Sequence, residues 1–131
     1  MMHVKYKLDR SGKHGIGLFA GEEIKKGQLV YTASPVLDVN ITQQQYEGLS
    51  QNEQQEIEYW GFWDEPSNRW HVDFDVSRFI NHDANATLTQ DPTKTDAYLL
   101  ATREIKQGEE LTQSYLEVET EQDLATRGIV D

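Results

Sequence analysis

The side chains best equipped for chemistry gather in Val76-Ser77-Arg78-Phe79-Ile80-Asn81-His82-Asp83, where Asn81 and His82 follow an apolar, strand-like pair. An Asn offers two acceptor lone pairs and two donors, and a His ring offers two distinct nitrogens. Side chains of this kind belong where partners wait for them, either in a site or in a buried pair satisfied by backbone. A second stretch, Arg10-Ser11-Gly12-Lys13-His14-Gly15-Ile16-Gly17, places three glycines in six residues. Without a Cβ, glycine lets backbone approach a ligand closely. A hairpin turn is the plainer alternative, and without the full dinucleotide pattern and a following helix a Rossmann site is not expected. A third stretch, Trp70 to Asp75, alternates, so His71, Asp73 and Asp75 are expected on one face of a strand. With His82 as a distant partner it matches the His-x-Asp pattern of non-haem iron sites. His82 is close in sequence for that role, and such matches are often accidental, so no metal is expected.

Composition narrows the classes. The 131 residues suit one domain that buries roughly two-thirds of its unfolded surface. Lys and Arg number 12 against 23 Asp and Glu, a formal net charge of −11. Nucleic-acid binding rests on cationic neutralisation of phosphates, so this balance argues against a direct nucleic-acid partner. A basic partner is compatible, as is solubility alone. The absence of Cys removes disulfides, cysteine zinc clusters and thiol nucleophiles. No apolar run is long enough for a signal peptide or a membrane span, so a soluble, cytoplasmic protein without membrane partners is expected.

The elements that must position these residues are short. Alternation over Met1–Asp9 predicts an opening strand. Leu18-Phe19-Ala20 and Gln28–Tyr31 read as strands around a Glu23–Gly27 turn. Thr42 with Gln45, and Ser50 with Glu53, form two capping boxes. The second opens an amphipathic helix carrying Leu49, Glu53, Ile57 and Trp60. The aromatic run Tyr59-Trp60-Gly61-Phe62-Trp63, with Trp70, is expected mainly in the core, with a ligand-facing wall as the alternative. Asp91–Lys94 is a turn and Ala97–Thr102 an apolar strand. In the acidic tail, 116–131, Thr120 caps an expected helix through Arg127 that ends at Gly128. No internal repeat or linker is read in the chain.

Three segments stand in order: Gly15-Ile16-Gly17-Leu18-Phe19-Ala20, Arg78-Phe79-Ile80-Asn81-His82, and Ala101 to Tyr115 with its Gly108-Glu109-Glu110-Leu111-Thr112-Gln113-Ser114-Tyr115 ending. Together they resemble the Gly-x-Gly loop, the Arg-Phe-x-Asn-His-Ser core and the Gly-Glu-Glu-Leu-Thr-x-x-Tyr ending of the SET domain of protein-lysine methyltransferases. Small stand-alone members occur in bacteria and viruses. The resemblance covers about residues 13–115 and implies one SET domain over 1–131. The implied fold is mainly β and β-clip-like, with small antiparallel sheets, few short helices and a C-terminal segment threaded beneath a neighbouring loop as a pseudoknot.

The resemblance also implies the chemistry: methyl transfer from S-adenosylmethionine to the ε-amine of lysine in a basic protein or peptide. Backbone of His14, Gly15, Ile16 and Gly17 would hold the cofactor's polar end. Asn81 would bond its amino-acid portion, backbone at His82 would meet the adenine, and Tyr115 would be the catalytic tyrosine. Arg78 and Glu110 are expected to be structural supports. The lysine must arrive neutral although its unperturbed pKa is about 10.4, so a narrow, desolvated channel is implied. The chain departs from the family at Asp83-Ala84-Asn85-Ala86-Thr87, where Ser-Cys-x-Pro-Asn is usual, and at Gln113, where an aromatic residue often limits the number of methyls added. The Cys-rich cap is absent, so the acidic tail or the second subunit of a homodimer would close the channel. The rival reading is a SET-like module that binds cofactor or a basic peptide without turnover.

Overall fold

The computed structural model describes residues 1–117, so the helix expected over Thr120–Arg127 lies outside the described residues. In chain order the strands are β1 (Tyr6–Arg10), β2 (Ile16–Ala20), β3 (Leu29–Thr32) and β4 (Val39–Ile41). Helices α1 (Gln43–Glu47) and α2 (Gln51–Trp60) come next, then β5 (Phe62–Asp64) and β6 (Arg69–Val72). A 3-10 turn over Val76–Phe79 leads into β7 (Asn81–His82), β8 (Leu88–Gln90), β9 (Tyr98–Ala101) and β10 (Glu110–Gln113). A second 3-10 turn covers Tyr115–Glu117. The main sheet runs β1-β2-β10-β8-β9-β3, with β7 also on β10, and a smaller sheet runs β4-β6-β5. The mainly β architecture with two short helices is the one the resemblance implied.

β10 is the strand that the main sheet is built around. It pairs antiparallel with β2, and parallel with β7 and β8. A terminal segment threaded beneath a loop requires this placement between earlier strands. Reciprocal bonds fasten it further. The Thr112 amide donates to the Thr87 hydroxyl oxygen at 2.9 Å, and the Thr87 amide donates to that of Thr112 at 3.1 Å. Leu18, Ile24, Val30, Tyr31, Leu88, Leu99, Ile105 and Leu111 form the centre of the core, each at most 2 % exposed. Full burial of such a side chain contributes about 1.5–3 kcal/mol. Neither helix buries a residue completely, so the strands carry the stability.

A repeat that the sequence reading did not find becomes visible in the turns. Ala20-Gly21-Glu22-Glu23-Ile24-Lys25-Lys26-Gly27-Gln28 matches Ala101-Thr102-Arg103-Glu104-Ile105-Lys106-Gln107-Gly108-Glu109 in type at Ala, Glu, Ile, Lys and Gly. Ile24 and Ile105 bridge each other, and their amides exchange bonds at 2.8 Å. Gly27 and Gly108 adopt φ of +81° and +90°, as the third position of a type II turn requires. Each turn then docks on the other copy's strand. Gly27 N–H donates to the Ala101 carbonyl and Gly108 N–H to that of Ala20, both at 2.8 Å.

Several local expectations need correction. Both capping boxes form as read, on α1 and α2. The opening strand begins only at Tyr6 and all five of its residues are exposed, because it pairs along a single edge with β2. β6 stops at Val72, so Asp73 and Asp75 do not share a strand face with His71; Asp75 instead caps the 3-10 turn through the Ser77 amide. Phe79 lies in that turn and not in a strand. The aromatic run stays outside the main core. Trp63 and Trp70 meet edge to face at 5.7 Å, and Tyr46 stacks on Trp70 at 4.9 Å, over a sheet of three strands too small to cover them.

Gly61 joins α2 to β5 with no room for a side chain. A Cβ there would sit 2.5 Å from the His71 carbonyl oxygen and 2.7 Å from Val72 Cγ2. Backbone cannot yield cheaply, so Gly61→Ala is expected to lower the urea midpoint by an amount equivalent to about 1–3 kcal/mol. An unchanged midpoint would contradict this packing.

Candidate active site

The glycine loop, β7 and β10 meet at one carboxylate. Glu110 opens β10 opposite Phe19 of β2, which points its side chain beneath the loop. Its oxygens accept the Ser11 hydroxyl at 2.8 and 3.0 Å, and the Asn81 side-chain amide at 2.9 Å. Gly17 leaves the space for it, since a Cβ there would meet Glu110 Oε2 at 2.7 Å. Ser11 shapes the loop as well as anchoring it. Its oxygen accepts the amides of Lys13 and His14 at 2.9 and 3.3 Å, and its own amide donates to the Gly15 carbonyl. Gly15 closes that turn at φ +48°.

Asn81 is 8 % exposed, and the donors of its side-chain amide are satisfied. Parallel pairing sets Asn81 opposite Thr112 and His82 opposite Gln113. From there the Asn81 amide donates to the carbonyls of His14 at 3.0 Å and Ile16 at 3.4 Å, besides Glu110. Its oxygen makes no hydrogen bond among the described residues. Four of the singled-out residues (His14, Ile16, Gly17 and Asn81) therefore converge directly, with Gly15 in the same turn.

His82 and Tyr115 form the other half. The Tyr115 amide donates to His82 Nδ1 at 3.0 Å, and the two rings lie 5.2 Å apart. An amide can only donate, so Nδ1 carries no proton and a neutral His82 ring is the Nε2–H tautomer. The Tyr115 hydroxyl donates to the Ile80 carbonyl at 2.5 Å. Towards any incoming N–H group its oxygen is therefore an acceptor. The Gln113 side-chain amide donates to Glu117 at 3.2 Å.

Sequence reasoning missed two of the groups that hold this arrangement. Ser11 carried no signal beyond its place before a glycine. Asp83, read as a departure, ties the loop down: its carboxylate lies 2.5 Å from Lys13 Nζ, and its amide donates to the Gln113 carbonyl. The His71 reading also changes. Among the described residues the potential metal ligands that gather are Asp38, His71 and Asp73; His82 is held instead on β10. Two cavities, about 410 and 420 Å³, lie beside α2 and beside Ala84–Ala86 respectively. Neither is lined by Asn81, Tyr115 or the glycine loop.

The SET-domain profile matches residues 15–116, spanning all three segments. The chain belongs to the SET-domain family. A putative histone methyltransferase from Plasmodium falciparum superposes with a TM-score of 0.58 at 20% identity, covering 87% of this chain and 95% of that one. A humanized mutant of the Chaetomium thermophilum polycomb repressive complex 2 gives 0.68 at 22% identity, covering 93% of this chain and 16% of that one. This chain thus spans about a sixth of that polycomb chain and nearly all of the Plasmodium one. No curated protein sequence matches it. The resemblance and the fold that it implied are both upheld.

In this SET domain the Lys13–Asp83 pair is the loop's clasp, and it titrates. The hydrogen bond from Lys13 first, and then that of the Asn85 amide, hold the Asp83 carboxyl below the usual carboxylate range. A depressed folded-state value means that the contribution is present above the unfolded pKa, about 3.9, and is lost as pH falls through the folded value. NMR titration of Asp83 in Lys13→Met is expected to show its pKa returning upward. An unchanged value would remove the clasp.

Proposed function

We propose that the chain is a SET-type protein-lysine N-methyltransferase that uses S-adenosylmethionine. The observation that carries this reading is the joint placement of the glycine loop, Asn81, His82 and Tyr115 around β10. The cofactor's methionyl end has an ammonium, a sulfonium and a carboxylate, and the surface suits that mixture. The Glu110 carboxylate lies under the loop and the Asn81 oxygen remains an acceptor, which favours cations, while the glycines let backbone come close. Asn81 and the His14–Gly17 backbone would hold this end, and His82 backbone the adenine.

When bound, the cofactor would supply an electrophilic methyl group on a positive sulfur for transfer to the lysine nitrogen. Such a displacement gives the protein little covalent work, so orientation must supply most of the acceleration. The geometry of Tyr115 fits that task. With its proton committed to the Ile80 carbonyl, the hydroxyl oxygen would accept an N–H of the amine and so orient the nitrogen lone pair. The same oxygen would offer partial negative charge to the cofactor's positive sulfur. The net charge of −11 draws basic segments to the surface, so a lysine-rich protein or peptide is the proposed substrate.

Two variants separate the roles. Tyr115→Phe is expected to lower turnover about 10²-fold, measured by labelled-methyl transfer to a lysine-rich protein, with cofactor affinity nearly unchanged. Unaltered turnover would sink the assigned role. Asn81→Ala is expected to weaken calorimetric binding of S-adenosylmethionine by about tenfold or more, the loss of hydrogen bonds to a charged ligand. Equal affinity would count against that contact. Binding without transfer to any basic protein would favour the non-catalytic module.

A further inference from the structure

A second polar cluster joins the small sheet to the core, and the proposed methyl transfer does not use it. Asp38 stands just before β4, His71 lies on β6, and Asp73 follows β6. The Asp38 side chain is 2 % exposed, and its oxygens accept the amides of Phe74 at 2.9 Å and Ser34 at 3.1 Å. Two backbone donors therefore fix the direction of this carboxylate. His71 Nδ1 is bonded to Asn40 Oδ1 at 2.7 Å. An amide oxygen only accepts, so Nδ1 carries a proton and Nε2 is the nitrogen turned to the acids. Nε2 lies 2.8 Å from Asp73 Oδ1 and 3.8 Å from Asp38 Oδ2.

Those separations have the size of a coordination polyhedron. Tetrahedral bonds near 2.0–2.1 Å set neighbouring donors about 3.3 Å apart, between the two distances seen. The Asn40 contact supplies the outer hydrogen bond that orients a ligating imidazole. An independent observation comes from β3. Tyr31 is 1 % exposed, and its hydroxyl has no hydrogen-bond partner among the described residues. Burial first, then the charge of Asp73, and further those of Asp75 and Asp38, push its pKa far upward, while the neighbouring Ser77 side chain lowers it. A buried hydroxyl near carboxylates ordinarily donates to one of them. The buried hydroxyl and these carboxylates share one region of negative potential, which a cation would offset.

We propose that Asp38, His71 and Asp73 bind one divalent transition cation of the zinc type, through one imidazole nitrogen and two carboxylate oxygens. The nitrogen selects against Mg²⁺ and Ca²⁺, which prefer oxygen donors throughout. The bound ion ties the start of β4 to the end of β6 and to the segment that leads through the 3-10 turn into Asn81. Its role is to brace that entry, separate from the reacting groups.

The test titrates Zn²⁺, and separately Mg²⁺, into the full chain by calorimetry, with thermal unfolding of the same samples. One equivalent of Zn²⁺ with a raised melting temperature, and no such response to Mg²⁺, is expected. His71→Gln should weaken Zn²⁺ by at least about tenfold, whereas His3→Gln, at an exposed position, should not. Should His71→Gln fail to fold, Asp73→Asn takes its place with the same expectation. Co²⁺ adds a direct readout: visible absorption bands in the native chain that are lost in the variant. Absence of saturable Zn²⁺ binding, or equal affinity in His71→Gln and Asp73→Asn, would overturn the site.

Discussion

The Glu110 carboxylate is the constraint on which the rest of this structure turns. A partly buried charge must be paid for with donors, and here these come from two places far apart in the chain, Ser11 and Asn81. Hydrogen bonds to charged groups contribute about 1.5–3 kcal/mol each, enough to hold a glycine-rich loop that would otherwise sample many shapes. Gly17 has to lack a side chain for the same reason, since the carboxylate occupies the space of its Cβ. Loop, β7 and β10 thus become one unit through a single side chain. The residues proposed to hold the cofactor are thus positioned by one carboxylate.

β10 turns that local node into an architecture. The strand carries Glu110 on its way in, Thr112 and its reciprocal bond with Thr87 in the middle, and Tyr115 two residues past its end. The paired Ile-Lys-x-Gly turns deliver β3 and β10 to matching positions on β9 and β2. Because each turn caps the other copy's strand, the core closes without long helices. Insertion of the small sheet between the two halves leaves the Glu110 node intact, so that sheet is free to shape a surface of its own.

Much of this was legible in the sequence where the signal was local. The capping boxes at Thr42 and Ser50 are short-range hydrogen-bond patterns, and both form. The three motif segments carried the family because their order, more than any single residue, is distinctive. What stayed hidden depends on tertiary approach. Ser11 looks like any loop serine until Glu110 arrives from 99 positions away. Asp83 read as a lost family residue, and only its ion pair with Lys13 gives it a purpose. The aromatic run misled because ring content predicts burial in general, whereas these rings lie on a sheet too narrow to enclose them. The turn repeat was visible in the letters at 20–28 and 101–109, but its meaning required the Ile24–Ile105 bridge.

The central claim is that the Glu110 node builds a surface for S-adenosylmethionine. Calorimetric titration of that cofactor into the native chain and into Glu110→Gln tests it most directly. The account predicts one-to-one binding by the native protein, and affinity about tenfold or more lower in the variant, which keeps the shape but removes the charge. Absence of heat or thermal shift in the native chain, or equal binding by both proteins, would contradict it.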